Sequence, residues 1–206
     1  TLDTTVTIDS PDALMVMASL SDPISCNGAS DAVLSGSSTG GTGDVVYSFS
    51  SDFLMTSDTL FFDEMSAGLY TVFAQDANGC ISNTDGIQIS DPISFNLYEQ
   101  GVAPTTCPDS EDGIVVLNYF GGSGNSTTYS LDGINYGLEG TFVIGSGTYT
   151  AYAQDVNGCM DTLSGIIVSS PDAFALQSVL TDPTCFGSVD GAVSVEVQGG
   201  TEPLSY

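Results

Sequence analysis

Apolar and polar side chains alternate along this chain in short runs: LMVMASL (14–20), DAVLSGS (31–37), DVVYSFS (44–50), DTLFFDE (58–64), LYTVFAQ (69–75) and GIQIS (86–90). The runs are rich in β-branched and aromatic residues, and clusters of Gly, Ser, Asn and Asp separate them. Each therefore reads as a strand with one face turned inward. No segment keeps a helical period over three turns. Six or seven short strands in about 80 residues predict a small antiparallel sandwich.

The pattern then repeats. Pro11, Pro92 and Pro171 begin comparable stretches, as do Cys26, Cys107 and Cys185 in SCNGASDAVL, TCPDSEDGIV and TCFGSVDGAV. AGLYTVFAQDANGC (67–80) returns as SGTYTAYAQDVNGC (146–159). Three unrelated landmarks at one period of about 80 residues mark tandem modules. We place the end of one module at 1–10, complete modules at 11–91 and 92–170, and the first part of another at 171–206. The junctions are short and contain proline, so the modules are expected to abut and stack as a rod.

Within the repeated phrases, Tyr70 and Tyr149 each follow a Gly by two residues at the start of a strand. That is the position of a tyrosine corner, whose phenol bonds backbone at the end of a sandwich. Asn78-Gly79 and Asn157-Gly158 read as hairpin turns, since both residue types tolerate positive φ. The preceding Asp76 and Asp155 leave a weak calcium-loop alternative, but neither turn has the Glu that would close such a loop. No other cofactor is indicated.

Charge narrows the choice of function. The chain has no Lys, Arg or His against 26 Asp and Glu, for a formal charge of −26. Nucleic acid and anionic lipid are excluded as partners, because both are held by basic side chains. Catalysis loses His and Lys as acid, base or nucleophile. Adjacent carboxylates such as Asp63/Glu64 and Glu111/Asp112 point to opposite faces of a strand, so they do not straddle a substrate as glycosidase acids must. An enzyme is not expected. Apolar residues make up 41% of the chain, which sets it apart from a disordered acidic tail. No apolar run is long enough to span a membrane as a helix.

The Cys…Asp-Gly motif after the first strand, the Gly-Gly-Thr-x-Pro turn (199–203) and the Gly-x-Tyr-Thr…Asp-x-Asn-Gly-Cys close together resemble SprB-type repeats. Those repeats build giant surface adhesins of Bacteroidota, including the gliding-motility filament. Ala32 departs from the pattern where Gly is usual. The resemblance implies an immunoglobulin-like fold, export by type IX secretion, an extracellular or cell-surface place, and a structural role in attachment or gliding. The partners it implies are neighbouring repeats, other filament chains and a surface ligand such as a polysaccharide. It also implies O-linked sugars where Asp-Thr is followed by a small or apolar residue, making Thr4, Thr59 and Thr162 candidate acceptors. Asn125 fits the weaker N-glycosylation pattern. The alternative is an array of carbohydrate-binding or calcium-dependent lectin-like modules, which would show exposed aromatics recurring between modules.

All five cysteines (Cys26, Cys80, Cys107, Cys159 and Cys185) lie in repeated motifs, and an extracellular chain is expected to oxidise them. Pairing within modules would give Cys26–Cys80 and Cys107–Cys159. In an immunoglobulin-like sandwich, however, the loop holding Cys26 and the turn holding Cys80 lie at opposite ends, while a disulfide needs Cα atoms within about 7 Å. Stacked modules would instead favour Cys26–Cys159 across a junction, with Cys80, Cys107 and Cys185 bonded to other modules.

Overall fold

A computed structural model describes residues 5–122 and 126–200, and every regular element among them is a strand. Of these residues, 5–94, 121–122 and 157–159 form one compact unit, and 95–120, 126–156 and 160–200 form a second. No helix among the described residues is long and apolar enough to cross a membrane.

In the first unit, β1 (Met15–Asp22), β2 (Ala32–Thr39) and β4 (Phe61–Met65) make one antiparallel sheet in the order β1-β2-β4. A second sheet runs β3-β6-β7, from β3 (Val46–Ser48), β6 (Phe73–Gln75) and β7 (Ile81–Asn83). The remaining pair is β5 (Gly68–Tyr70) with β8 (Ile87–Ile89). Once β5–β6 and β7–β8 are each counted as one interrupted strand, the first, second and fourth strands share one sheet and the third, fifth and sixth the other, the division of the A, B and E strands from the C, F and G strands in an immunoglobulin-type sandwich.

Alternation along the strands builds the core. Val16 points inward from β1 to cluster with Tyr47, Val72 and Ala74, and Leu34 from β2 clusters with Ile89, while Met15 and Met17 face solvent. Leu34, Val72, Ala74 and Ile89 are fully buried.

The second unit repeats the plan with longer strands. The sheet β12-β10-β9 is built from β9 (Asn96–Ala103), β10 (Gly113–Phe120) and β12 (Thr141–Ile144). Its partner is β11-β13-β14, from β11 (Thr127–Ser130), β13 (Gly147–Asp155) and β14 (Met160–Val168). Val115, Leu117, Ala151, Ala153, Ile166 and Val168 fill the space between them. A bond from Leu97 N–H to the Asp161 carboxylate (2.8 Å) ties β9 to β14. Beyond these sheets, β15 (Ala175–Thr181) and β16 (Ala192–Gln198) pair as a ribbon whose Leu176, Val179, Val193 and Val195 are exposed.

The single strand expected at 69–75 is two strands, and β7 was not anticipated. The cause lies at Thr84. Its hydroxyl accepts the Val72 N–H (3.1 Å), while its own N–H donates to the Val72 carbonyl (2.9 Å). A side chain thus enters the ladder and splits the hairpin that β13 and β14 keep continuous.

Candidate functional site

The three loops that carry Cys26, Cys107 and Cys185 have one construction. An Asp five residues after the Cys accepts the N–H of the residue before it: Asp31 from Ser25 (3.0 Å), Asp112 from Thr106 (3.0 Å) and Asp190 from Thr184 (3.1 Å). The cysteine carbonyl accepts the N–H three residues on, at 2.9 Å for Ala29, 3.3 Å for Ser110 and 3.1 Å for Ser188. Between them sits a left-handed residue, Gly28 (φ 79°), Asp109 (φ 62°) or Gly187 (φ 84°). Asp is among the few side chains that tolerate this backbone without glycine.

Hydroxyl donors complete two of the loops. Asp112 accepts from Ser110 Oγ (2.6 Å) and from Thr106 Oγ1, and these bonds hold its carboxyl at about 2. Ser188 Oγ and Thr184 Oγ1 do the same for Asp190, also lowered to about 2. Asp31 is lowered by its bonds to Ser25. The carboxylates are internal caps that fix the loop around each cysteine. The spacing Cys-x4-Asp was visible in all three segments, and it is the signal that could have found these caps.

The second cysteine-bearing feature is the turn after the strand that follows the tyrosine corner. Asp76 N–H donates to the Cys80 carbonyl (3.0 Å), Gly79 N–H donates to the Asp76 carbonyl (2.9 Å), and Gly79 has φ 84°. Its counterpart Gly158 has φ 88°, while Asn78 and Asn157 stay outside the left-handed region. The loop therefore has three residues ending in a left-handed Gly, in place of the two-residue Asn-Gly turn expected. Asp76 explains the difference. Its buried carboxylate accepts N–H bonds from Cys80 (2.8 Å), Thr42 (2.8 Å) and Asn78 (3.0 Å), which lower its pKa and define the longer turn. Asp155 is buried at the matching position.

Loop and turn come together once among the described cysteines. Cys26 and Cys159, both in the first unit, form a disulfide with Cα atoms 5.5 Å apart and 133 residues between them in sequence. Cys80, Cys107 and Cys185 are exposed free thiols.

The Tyr70 hydroxyl donates to the Ser66 carbonyl (3.0 Å) and the Tyr149 hydroxyl to the Gly145 carbonyl (2.9 Å). Each ring lies over its own Gly, where a Cβ would stand 3.1 Å from the Tyr70 ring at Gly68 and 3.4 Å from the Tyr149 ring at Gly147. Thr59 and Thr162 are exposed. Thr4 and Asn125 lie outside the described residues. Tyr47 and Tyr129 are buried, at 8% and 6% exposure, so they form no recurring aromatic surface.

The first unit also carries an open apolar cleft of about 580 Å³, lined in part by Phe49, Leu54, Met55 and Phe62. The Phe49 and Phe62 rings meet at 4.2 Å between centroids with a 44° tilt, and Leu54 and Met55 are more than four-fifths exposed. Its one carboxylate, Asp52, is occupied by Ser50 Oγ (2.5 Å) and Leu54 N–H (3.3 Å).

Comparison with known proteins gives one family match: residues 178–206 match the SprB repeat. No curated protein sequence matches. Among solved structures, the three N-terminal domains of the bacteriophage RB49 highly immunogenic outer capsid protein (Hoc) are similar at 11% identity and a TM-score of 0.48, covering 93% of this chain and 71% of that one. Fibronectin(III)-like modules of Clostridium thermocellum CbhA are similar at 13% identity and a TM-score of 0.32, covering 75% and 95%.

Proposed function

With one stretch of this chain matching the SprB repeat, a repeat of cell-surface adhesins, we propose that the whole chain is a segment of tandem structural modules from such an adhesin. One observation carries the reading. The loop from Thr184 to Asp190 lies inside the matched stretch, and its bonding pattern recurs at 25–31 and 106–112. What matches the family once is built three times.

The role proposed is to space and present, with no catalysis. With no His, Lys or Arg, carboxylates are the main acid–base groups this chain offers, and those in the repeated motifs serve as backbone caps. A dense negative surface resists collapse onto itself or onto an anionic cell envelope. The finer reading is a secreted filament used for attachment or gliding, exported by type IX secretion, with sugars on Thr59, Thr162 and Thr4. The module boundaries proposed remain 11–91 and 92–170, with 1–10 and 171–206 belonging to flanking modules.

Antiserum raised against the 206-residue chain tests the reading on cells that make it. Intact cells should label and lose the label on brief protease treatment. Label that appears only after permeabilisation would overturn a surface role. Intact-mass spectra of native material matching the bare sequence would remove the glycans.

A further inference from the structure

The bonded pair Cys26–Cys159 joins one loop to one turn. Every other cysteine occupies a copy of one of those two settings. Cys107 and Cys185 stand in loops with the same Asp cap, the same left-handed residue and the same carbonyl bond as Cys26. Cys80 stands in a turn with the buried Asp and left-handed Gly that precede Cys159. What differs is bonding and exposure: Cys159 is 6% exposed, while Cys80, Cys107 and Cys185 are open thiols.

We propose that loop and turn are the two halves of a repeated covalent lock. Cys80 then takes a loop cysteine, and Cys107 and Cys185 each take a turn cysteine, from a further copy of the same repeat. The second observation behind the three single thiols is the lock itself, closed once by the same two settings. With no His, Lys or Arg in the chain, these thiols lack the partners that would equip them for catalysis, and pairing is the chemistry left to them. Each bond forms when two thiols give up two electrons and two protons to a disulfide oxidant. A thiolate attacks the oxidant to form a mixed disulfide, the second cysteine displaces the carrier, and the oxidant leaves as two thiols.

The proposal rests on the tandem-array reading for the source of the partner, but its test reads bonding alone. The 206-residue chain is treated with oxidised glutathione, quenched by alkylation and separated without reductant. Trypsin has no site in a chain without Lys or Arg, so the bands are cut at Asp, which leaves the five cysteines on separate peptides. Linked chains are expected in which Cys80 of one copy is joined to Cys107 or Cys185 of another. Those links should be lost in Cys80→Ser, and lost again in the double variant Cys107→Ser/Cys185→Ser, which keeps Cys80. Loop-to-loop or Cys80-to-Cys80 pairs in equal yield overturn the proposal. So does a chain that takes up only glutathione adducts at its three thiols.

Discussion

Single residues in this protein do backbone work with side chains that sequence patterns usually assign to ligands. Asp76, which first suggests a calcium loop, spends its carboxylate on three N–H groups. The tyrosine corner is similar: one phenol bonds a carbonyl four residues upstream. Removing that hydroxyl in Tyr149→Phe should cost about 1 kcal/mol, the net worth of a neutral hydrogen bond, and lower the melting temperature without changing the circular dichroism spectrum. The capped aspartates set an acid limit. Asp112 and Asp190 sit at about 2 in the folded chain against about 3.9 when unfolded. A lowered folded pKa means that the stability they contribute is present above pH ~4 and is lost as pH falls through ~2. Denaturant midpoints measured between those values should drop with acid, and Asp112→Asn should flatten part of the drop.

At the scale of the element, two glycines show that one substitution can fail for opposite reasons. Gly79 has open space where a Cβ would stand, its nearest neighbour being Gln75 Nε2 at 3.9 Å, but its φ is 84°. Gly79→Ala should therefore cost about 1–2 kcal/mol of backbone strain in the turn. Gly36 carries no such φ, yet its Cβ would overlap the Met17 carbonyl oxygen of the neighbouring strand. Gly36→Ala must push β1 and β2 apart, so its loss of stability should exceed that of Gly79→Ala in parallel denaturant titrations. This is also where reading the sequence succeeded and where it stopped. Runs such as LMVMASL declare their strands because Val16 and Leu20 alternate with solvent-facing residues. The split between β5 and β6 was hidden, because a single Thr84 hydroxyl entering the ladder has no periodic signature. The turn length was hidden for a related reason. Asn-Gly spells a two-residue loop until a buried Asp beside it claims the N–H groups.

For the whole molecule, charge is the dominant collective property. With 26 carboxylates and no cation, repulsion acts on the compact state and is screened by salt. Melting temperature should rise from low salt to about 1 M, where the Debye length is ~3 Å. Lowering the pH from 7 first relieves the same repulsion, before the loop caps fail, so stability should pass through a maximum in the mildly acid range rather than fall throughout. Differential scanning calorimetry across pH 7 to 2 separates the two arms. The disulfide adds a second collective constraint. Closing a loop between residues 133 apart removes about 5 kcal/mol of unfolded-chain entropy in the loop-closure picture. Reductant should lower the melting temperature accordingly. Sequence spacing left the pairing open, because Cys26 has a turn cysteine at both 80 and 159; distance in the folded chain decides between them.

The same bond changes what tension can do. A polypeptide pulled from its ends lengthens by ~3.4 Å for each residue it gives up, so a 133-residue stretch would add ~450 Å. Between Cys26 and Cys159, the covalent path skips that stretch altogether. If everything inside the bracket melted, the tether would gain nothing from it. Single-molecule extension should show this as a short total contour that grows by about that amount once the bond is reduced. A strand joined in this way keeps its reach under load, and its folded parts can fail without letting go of whatever lies beyond them.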